Sequence, residues 1–328
     1  MNSAITMKAQ RALMRRLAEA LSLAILLEAS GTPKPGNVHR VFDRKALRYE
    51  AFLATGTLAQ KYFEKGLKRG YRGSRGRALF GDLVYGVVRE VRDFIRSSNT
   101  CLGSSLLLSF MSVSLGSCLR RGFSDLGELG ECSKSLLEET TVWDTIYYYM
   151  AIRKASPSYL KPSDYTGDFV NVWDPHYRKR ILEKGHRLVQ VLKYSSSFDI
   201  VARELVSGFS WGIKAEGFLR SRVNEHFNWN RAVVETYLYI LAHNIDTVVR
   251  LKHGLAVAEE VSRTASMILD EVLGLKRSAW MKPVFSFDKA LRRRNINPGA
   301  VADLTAEAIA LYIVRNILNG DPLLDLSR

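Results

Sequence analysis

Apolar residues recur every three or four positions along most of this chain, and the first run is marked by Leu13, Leu17, Leu21 and Ala24. The same spacing defines runs over 12–27, 46–66, 78–95 and 101–119, and again over 136–153, 177–192, 200–219, 232–273 and 302–318. Such spacing places one apolar stripe along a helix, while the period-two alternation of strands is scarce. The pattern predicts an all-α protein. The eight prolines fall between the runs, where a missing amide donor does no harm.

The run 101–119, "CLGSSLLLSFMSVSLGSCL", carries no charge over 19 residues, close to the roughly 20 that span a bilayer. Its six serines and two glycines suit a helix wrapped by other helices better than one facing lipid. The expectation is therefore a single large helical bundle, 1–328, built around a central uncharged helix, with no membrane partner. The stretch 155–175, with three prolines, is either a surface crossing or a seam between two lobes.

With 328 residues, 47% of them hydrophobic, the chain can bury a full core. Three cysteines without metal-ligand spacing, and no signal-peptide layout at the N-terminus, lead to the expectation of a reducing cytoplasm. The net charge of +15, from 48 basic and 33 acidic side chains, favours anionic partners such as nucleotides or nucleic acid.

Four polar stretches interrupt the apolar scaffold. In "GTPKPGNVHR", 31–40, two prolines stop a helix and Gly36 permits a turn, while Lys34, Asn37 and His39 are suited to phosphate or proton handling. In "SSNTCLG", 97–103, Ser98 and Asn99 are natural caps, and Asn99 and Thr100 sit at the start of the uncharged helix, where free amides attract phosphate. Within the run 232–273, His243, Asp246, Thr247, Arg250 and Gly254 fall on one helical stripe that either faces water or lines a cavity. In "RRRNINPGAVADL", 292–304, Asn297 is a candidate cap before Pro298, and Asp303 is a carboxylate suited to magnesium. A basic segment, 61–77, has seven cations against one acid and raises a second reading, an RNA-binding protein without enzymatic activity.

Taken together, the four stretches resemble the triphosphoribosyl-dephospho-CoA synthase family, which makes the prosthetic-group precursor of citrate lyase and malonate decarboxylase. The resemblance rests on "TPKPG" (32–36), Asn99-Thr100 with Gly103, Asp246-Thr247 with a basic cluster ending at Gly254, and "NPGAVADL" (297–304). Where bacterial members carry His-Lys-Gly after Asn-Thr, this chain has Cys101-Leu102-Gly103, and it looks closer to the archaeal branch. The resemblance implies transfer of the triphosphoribosyl group of ATP to the 2′-hydroxyl of dephospho-CoA, with release of adenine. A related nucleotide transferase or hydrolase with another acceptor is the alternative. On this reading Lys34, Arg250 and Lys252 neutralise the triphosphate, Asp246 and Asp303 hold Mg2+, and His39 or Asp43 is the base. Gly36, Asn37, Asn99, Thr100, His243 and Asn297 complete the expected substrate contacts.

Overall fold

A computed structural model describes residues 2–45, 47–73, 76–95, 99–123, 125–164, 167–226, 228–276 and 278–324, without the side chains of 2–7 and 164. Ser97 and Ser98 of the second polar stretch, and Ser74 and Arg75 of the basic segment, lie outside the described residues. The architecture is all-α. In chain order the helices are α1 (Asn2–Ser30), α2 (Tyr49–Arg72), α3 (Gly81–Phe94), α4 (Leu102–Arg121), α5 (Leu126–Leu137), α6 (Val142–Ala155), α7 (Tyr177–Lys184) and α8 (Leu188–Ser195). They continue as α9 (Ile200–Ser207), α10 (Ser210–His226), α11 (Trp229–His243), α12 (Thr247–His253), α13 (Leu255–Gly274), α14 (Met281–Arg293) and α15 (Gly299–Asn319).

The uncharged run becomes α4, which is long and apolar enough to cross a membrane but has 89% of its apolar window buried inside the bundle. Its small residues explain the arrangement: a Cβ on Gly116 would overlap the Leu67 carbonyl of α2, so glycine lets the two backbones meet. Helices α1, α2, α3, α5, α9 and α15 pack around α4. Buried apolar residues from all of these helices join in one core, as a chain of this length allows. Cys118 of α4 is bonded to Cys132 of α5, with Cα atoms 6.1 Å apart, and Cys101 is free and buried.

Several expected runs are divided. The run 200–219 breaks at Gly208 and Phe209, both left-handed (φ 69° and 64°). The run 232–273 is three helices, not one. Asn244 is extended (φ −136°, ψ 145°), Asp246 caps α12, and Gly254 (φ 87°) separates α12 from α13. Apolar periodicity persists through these breaks because each short helix still turns its stripe to the same core. As far as Arg72 the basic segment forms the C-terminal part of α2, and three of its cations are paired: Arg69 with Asp82, Lys61 with Glu90 and Lys68 with Glu64.

Candidate active site

The four polar stretches meet. The 31–47 loop is stitched to the start of α15 by Asn37, whose amide donates to Asn297 Oδ1 at 3.1 Å. Arg44 Nη1 donates to the Ile296 carbonyl at 2.9 Å, and Tyr237 donates to the Pro35 carbonyl at 3.0 Å. Gly36, left-handed at φ 73°, gives its amide to Asp288 Oδ1 at 2.8 Å. Arg292, paired with Asp288, donates to the Asn37 carbonyl at 2.7 Å. A loop rich in proline and glycine is thus held rigid by buried hydrogen bonds rather than by packing of its own.

Asp303 reaches the N-terminus of α4. It accepts hydrogen bonds from the Ser104 amide and hydroxyl, and a Cβ on Gly103 would overlap its carboxylate. The second and fourth polar stretches therefore meet at this contact. Burial, and then the nearby carboxylate of Glu28, push Asp303 up to about 8, since both disfavour the charged form. Glu28 is buried at the end of α1 and accepts from Lys34 Nζ; burial outweighs that ammonium and raises its pKa too.

A cleft of about 890 Å³ opens above these two acids, within the range of small-molecule sites. Glu28 and Asp303 form its floor; Arg44, Lys45, Arg92 and Lys252 supply its cations. Asn37, Asn99, Thr100 and Asn297 line it as expected. Residues 155–159, from the proline-rich stretch, form one wall, with Lys252 Nζ 6.0 Å from the centre of the Tyr159 ring.

Other expected site residues are placed differently. Lys34 is fully buried in its pair with Glu28, so its charge is spent on that carboxylate and not on a triphosphate. His39 is also fully buried: Nδ1 is 2.8 Å from Thr32 Oγ1 and Nε2 is 3.5 Å from Asp288 Oδ2. It orders the loop behind the cleft and is not part of the lining. Asp43 is exposed outside the lining, accepting the Tyr49 amide at 2.8 Å. His243 is exposed and packs on Tyr239 and Trp211, and Arg250 also lies outside the lining. The helix break at 244–246 separates these two residues from the expected stripe.

Asp246 is buried with both oxygens committed. Oδ1 accepts the Val249 amide and Oδ2 the Val301 amide, each at 2.9 Å, so it caps α12 and ties it to α15. Desolvation still raises it to about 6. Thr247 donates to Asp199 Oδ1 and accepts the Ile200 amide, both at 3.0 Å. The Asp-Thr pair is therefore a joint between helix starts and not a metal ligand.

Sequence reasoning missed Glu28, Arg44, Lys45, Arg92 and Tyr159. Glu28 had a readable signal, as the lone charge in "LSLAILLEAS" (21–30). The others had none, because nothing local distinguishes a cation in a cleft from one in water.

A family model described as "ATP:dephospho-CoA triphosphoribosyl transferase" matches residues 14–321. The chain belongs to this family. The transferase is an enzyme that moves the triphosphoribosyl group of ATP to dephospho-CoA. It resembles a crystal structure from Archaeoglobus fulgidus described as a candidate triphosphoribosyl-dephospho-CoA synthase, at 25% identity and a TM-score of 0.60. That match covers 80% of the transferase and 98% of the other chain. Among curated proteins, none matches. The RNA-binding reading is not favoured, and the paired cations of α2 agree with that.

Among the described residues, no group of three or more His, Cys, Asp or Glu side chains could hold a metal by itself. Magnesium bound to nucleotides needs only one or two carboxylates, the phosphates supplying further oxygens. Asp303 fits that requirement, since a buried carboxylate with so raised a pKa is relieved by a cation. Asp246 does not fit.

Proposed function

We propose that the 890 Å³ cleft is where the transfer occurs, with the ATP triphosphate against Lys252, Arg44 and Lys45. The observation that carries this is the convergence of all four polar stretches around one cleft whose floor is Glu28 and Asp303. A charge pair at 4 Å gains about 1 kcal/mol in water but about 4 kcal/mol at an effective dielectric of 20, so cations in a cleft hold phosphate far better than exposed ones. Burial, followed by the nearby Arg44, pulls the Lys252 pKa down, and an incoming triphosphate would reverse that. Both substrates being intracellular nucleotides, we place the enzyme in the cytoplasm.

Asp303 would hold Mg2+ on the triphosphate, where the ion neutralises charge and fixes the phosphate chain. Glu28 takes the proton. In the transfer, the bond from the ribose C1′ of ATP to adenine breaks and a bond from C1′ to the acceptor 2′-oxygen forms. The hydroxyl gives its proton to Glu28, which releases it to solvent as the departing adenine takes one up from solvent, so the carboxylate is regenerated and the reaction is proton-neutral. Lys34 fixes Glu28 Oε1, Glu28 lines the cleft, and its raised pKa brings it nearer the range useful for a base.

The test is Glu28→Gln assayed for adenine release from ATP with dephospho-CoA. The expected loss is at least about 100-fold with ATP binding retained; undiminished turnover removes Glu28 from this role.

A further inference from the structure

The cleft wall formed by 155–159 has features that the cations and the two acids do not account for. Helix α6 ends at Ser156, which is left-handed at φ 47° and ψ 58° and donates its amide to the Ile152 carbonyl at 2.8 Å. A residue other than glycine holds that conformation at a cost, and only where its surroundings impose it, as they do at binding sites. The turn that follows is closed by the Leu160 amide, which donates to the Pro157 carbonyl at 3.2 Å. Pro157 is buried, and Tyr159, half-buried, packs against the core and lines the cleft. Two aromatic rings, Phe52 and Tyr159, are in the lining. Among the described residues only Tyr159 of the two has a cation over it, Lys252 Nζ at 6.0 Å from the ring centre. Burial, and then the Asp303 carboxylate, hold the Tyr159 hydroxyl well above its ordinary range, so the side chain stays uncharged.

We propose that Tyr159 is the platform on which the purine base of ATP stacks, which makes it a specificity-determining residue of the donor site. This rests on the transferase reading given above. A base that has to leave must be held without a covalent or ionic grip. A flat, uncharged aromatic face does that, because every purine presents a π-face of its own. The ribose joins the base to the α-phosphate through only a few bonds, so a cation that meets the phosphates must lie close to the ring under the base. Lys252 does. The reacting C1′ stands between base and phosphates, and so within the cleft that Glu28 and Asp303 also line.

The experiment measures, by calorimetry with magnesium present, the affinity of wild type, Tyr159→Phe and Tyr159→Leu for ATP and for inorganic tripolyphosphate, which has the phosphates but no base. Wild type should bind ATP more tightly than tripolyphosphate. Tyr159→Leu keeps an apolar chain against the core and should weaken ATP about tenfold, the usual effect of removing one stacked ring, with tripolyphosphate unchanged. Tyr159→Phe should keep the wild-type affinity for ATP. The assignment is overturned by equal ATP affinity in wild type and Tyr159→Leu, by loss of both ligands together, or by a Tyr159→Phe as weak as Tyr159→Leu. It is equally overturned if wild type binds ATP no better than tripolyphosphate. None of these readings needs turnover, so an enzyme that binds ATP through Tyr159 yet releases no adenine with dephospho-CoA would sink the transferase reading alone.

Discussion

Replacing Asp303 by Asn tests whether the cleft floor stores electrostatic strain for a cation. Asp303 rises from 3.8 to about 8 in the folded enzyme. The folded state therefore binds this proton more tightly than the unfolded chain, and stability falls as pH rises from about 4 to about 8, then levels. A shift of about four units corresponds to an upper figure of about 5 kcal/mol above pH 8. Water entering from the cleft relaxes part of it, so we expect a plateau of roughly 2–4 kcal/mol. Asn keeps an oxygen for the Ser104 amide but carries no charge. Urea unfolding of both proteins with chelator present, from pH 4.5 to 9, should show Asp303→Asn gaining on wild type up to pH 8 and running parallel above it. Titrations of groups distant from Asp303 cancel in the difference. Adding magnesium and ATP should then stabilise wild type more than the variant, because a ligand stabilises whichever folded state binds it better. A difference independent of pH, or a variant less stable than wild type at pH 8, would refute the reasoning.

Three further substitutions separate positioning from binding. Gly103→Ala should displace the Asp303 carboxylate and lower turnover about 100-fold, the usual consequence of misplacing a reacting group by about 1 Å, with the helical circular dichroism unchanged. Asp246→Ala removes a carboxylate that caps two helix starts and should cost about 2–4 kcal/mol in denaturant unfolding, while the magnesium dependence of the surviving activity stays as in wild type. Lys252→Ala should raise KM for ATP about tenfold, the worth of one charge-assisted contact, and leave KM for dephospho-CoA alone; the opposite pattern would remove Lys252 from the triphosphate site.

The all-α class and the central helix are legible because a 3.6-residue period and an uncharged run survive any tertiary arrangement. The helix breaks at 244–246 and at Gly254 are not, since three helices sharing one core keep one apparent period. Residue types at the site are legible, but their roles are less so. Asp246 and Asp303 look alike in sequence, as carboxylates near helix starts, and differ only in what reaches them: two amides from two helices for one, a serine and open cleft for the other. Lys34 and Glu28 lie six residues apart across a helix end, and only the folded loop shows that they neutralise each other.

That difference decides how phosphate must be held. Helix N-termini are ready anion sites when their amides are free, and three such termini, of α4, α12 and α15, are tied to the site by Asn99, Asp246 and Asp303. In the folded chain Asn99 Oδ1 accepts the Cys101 and Leu102 amides at 3.2 and 3.0 Å, and Asp303 accepts that of Ser104. Asp246 takes the Val249 and Val301 amides. The enzyme's own oxygens thus already occupy these donors, and the helix ends serve to seat acids. Recognition of the triphosphate passes to side-chain cations, chiefly Lys252 and an Arg44 already held by the Gly36 and Ile296 carbonyls and Asn295, whose attraction is Coulombic and therefore screened where it meets solvent. ATP binding governed in this way should weaken with added salt, whereas a site built on buried helix amides would scarcely respond.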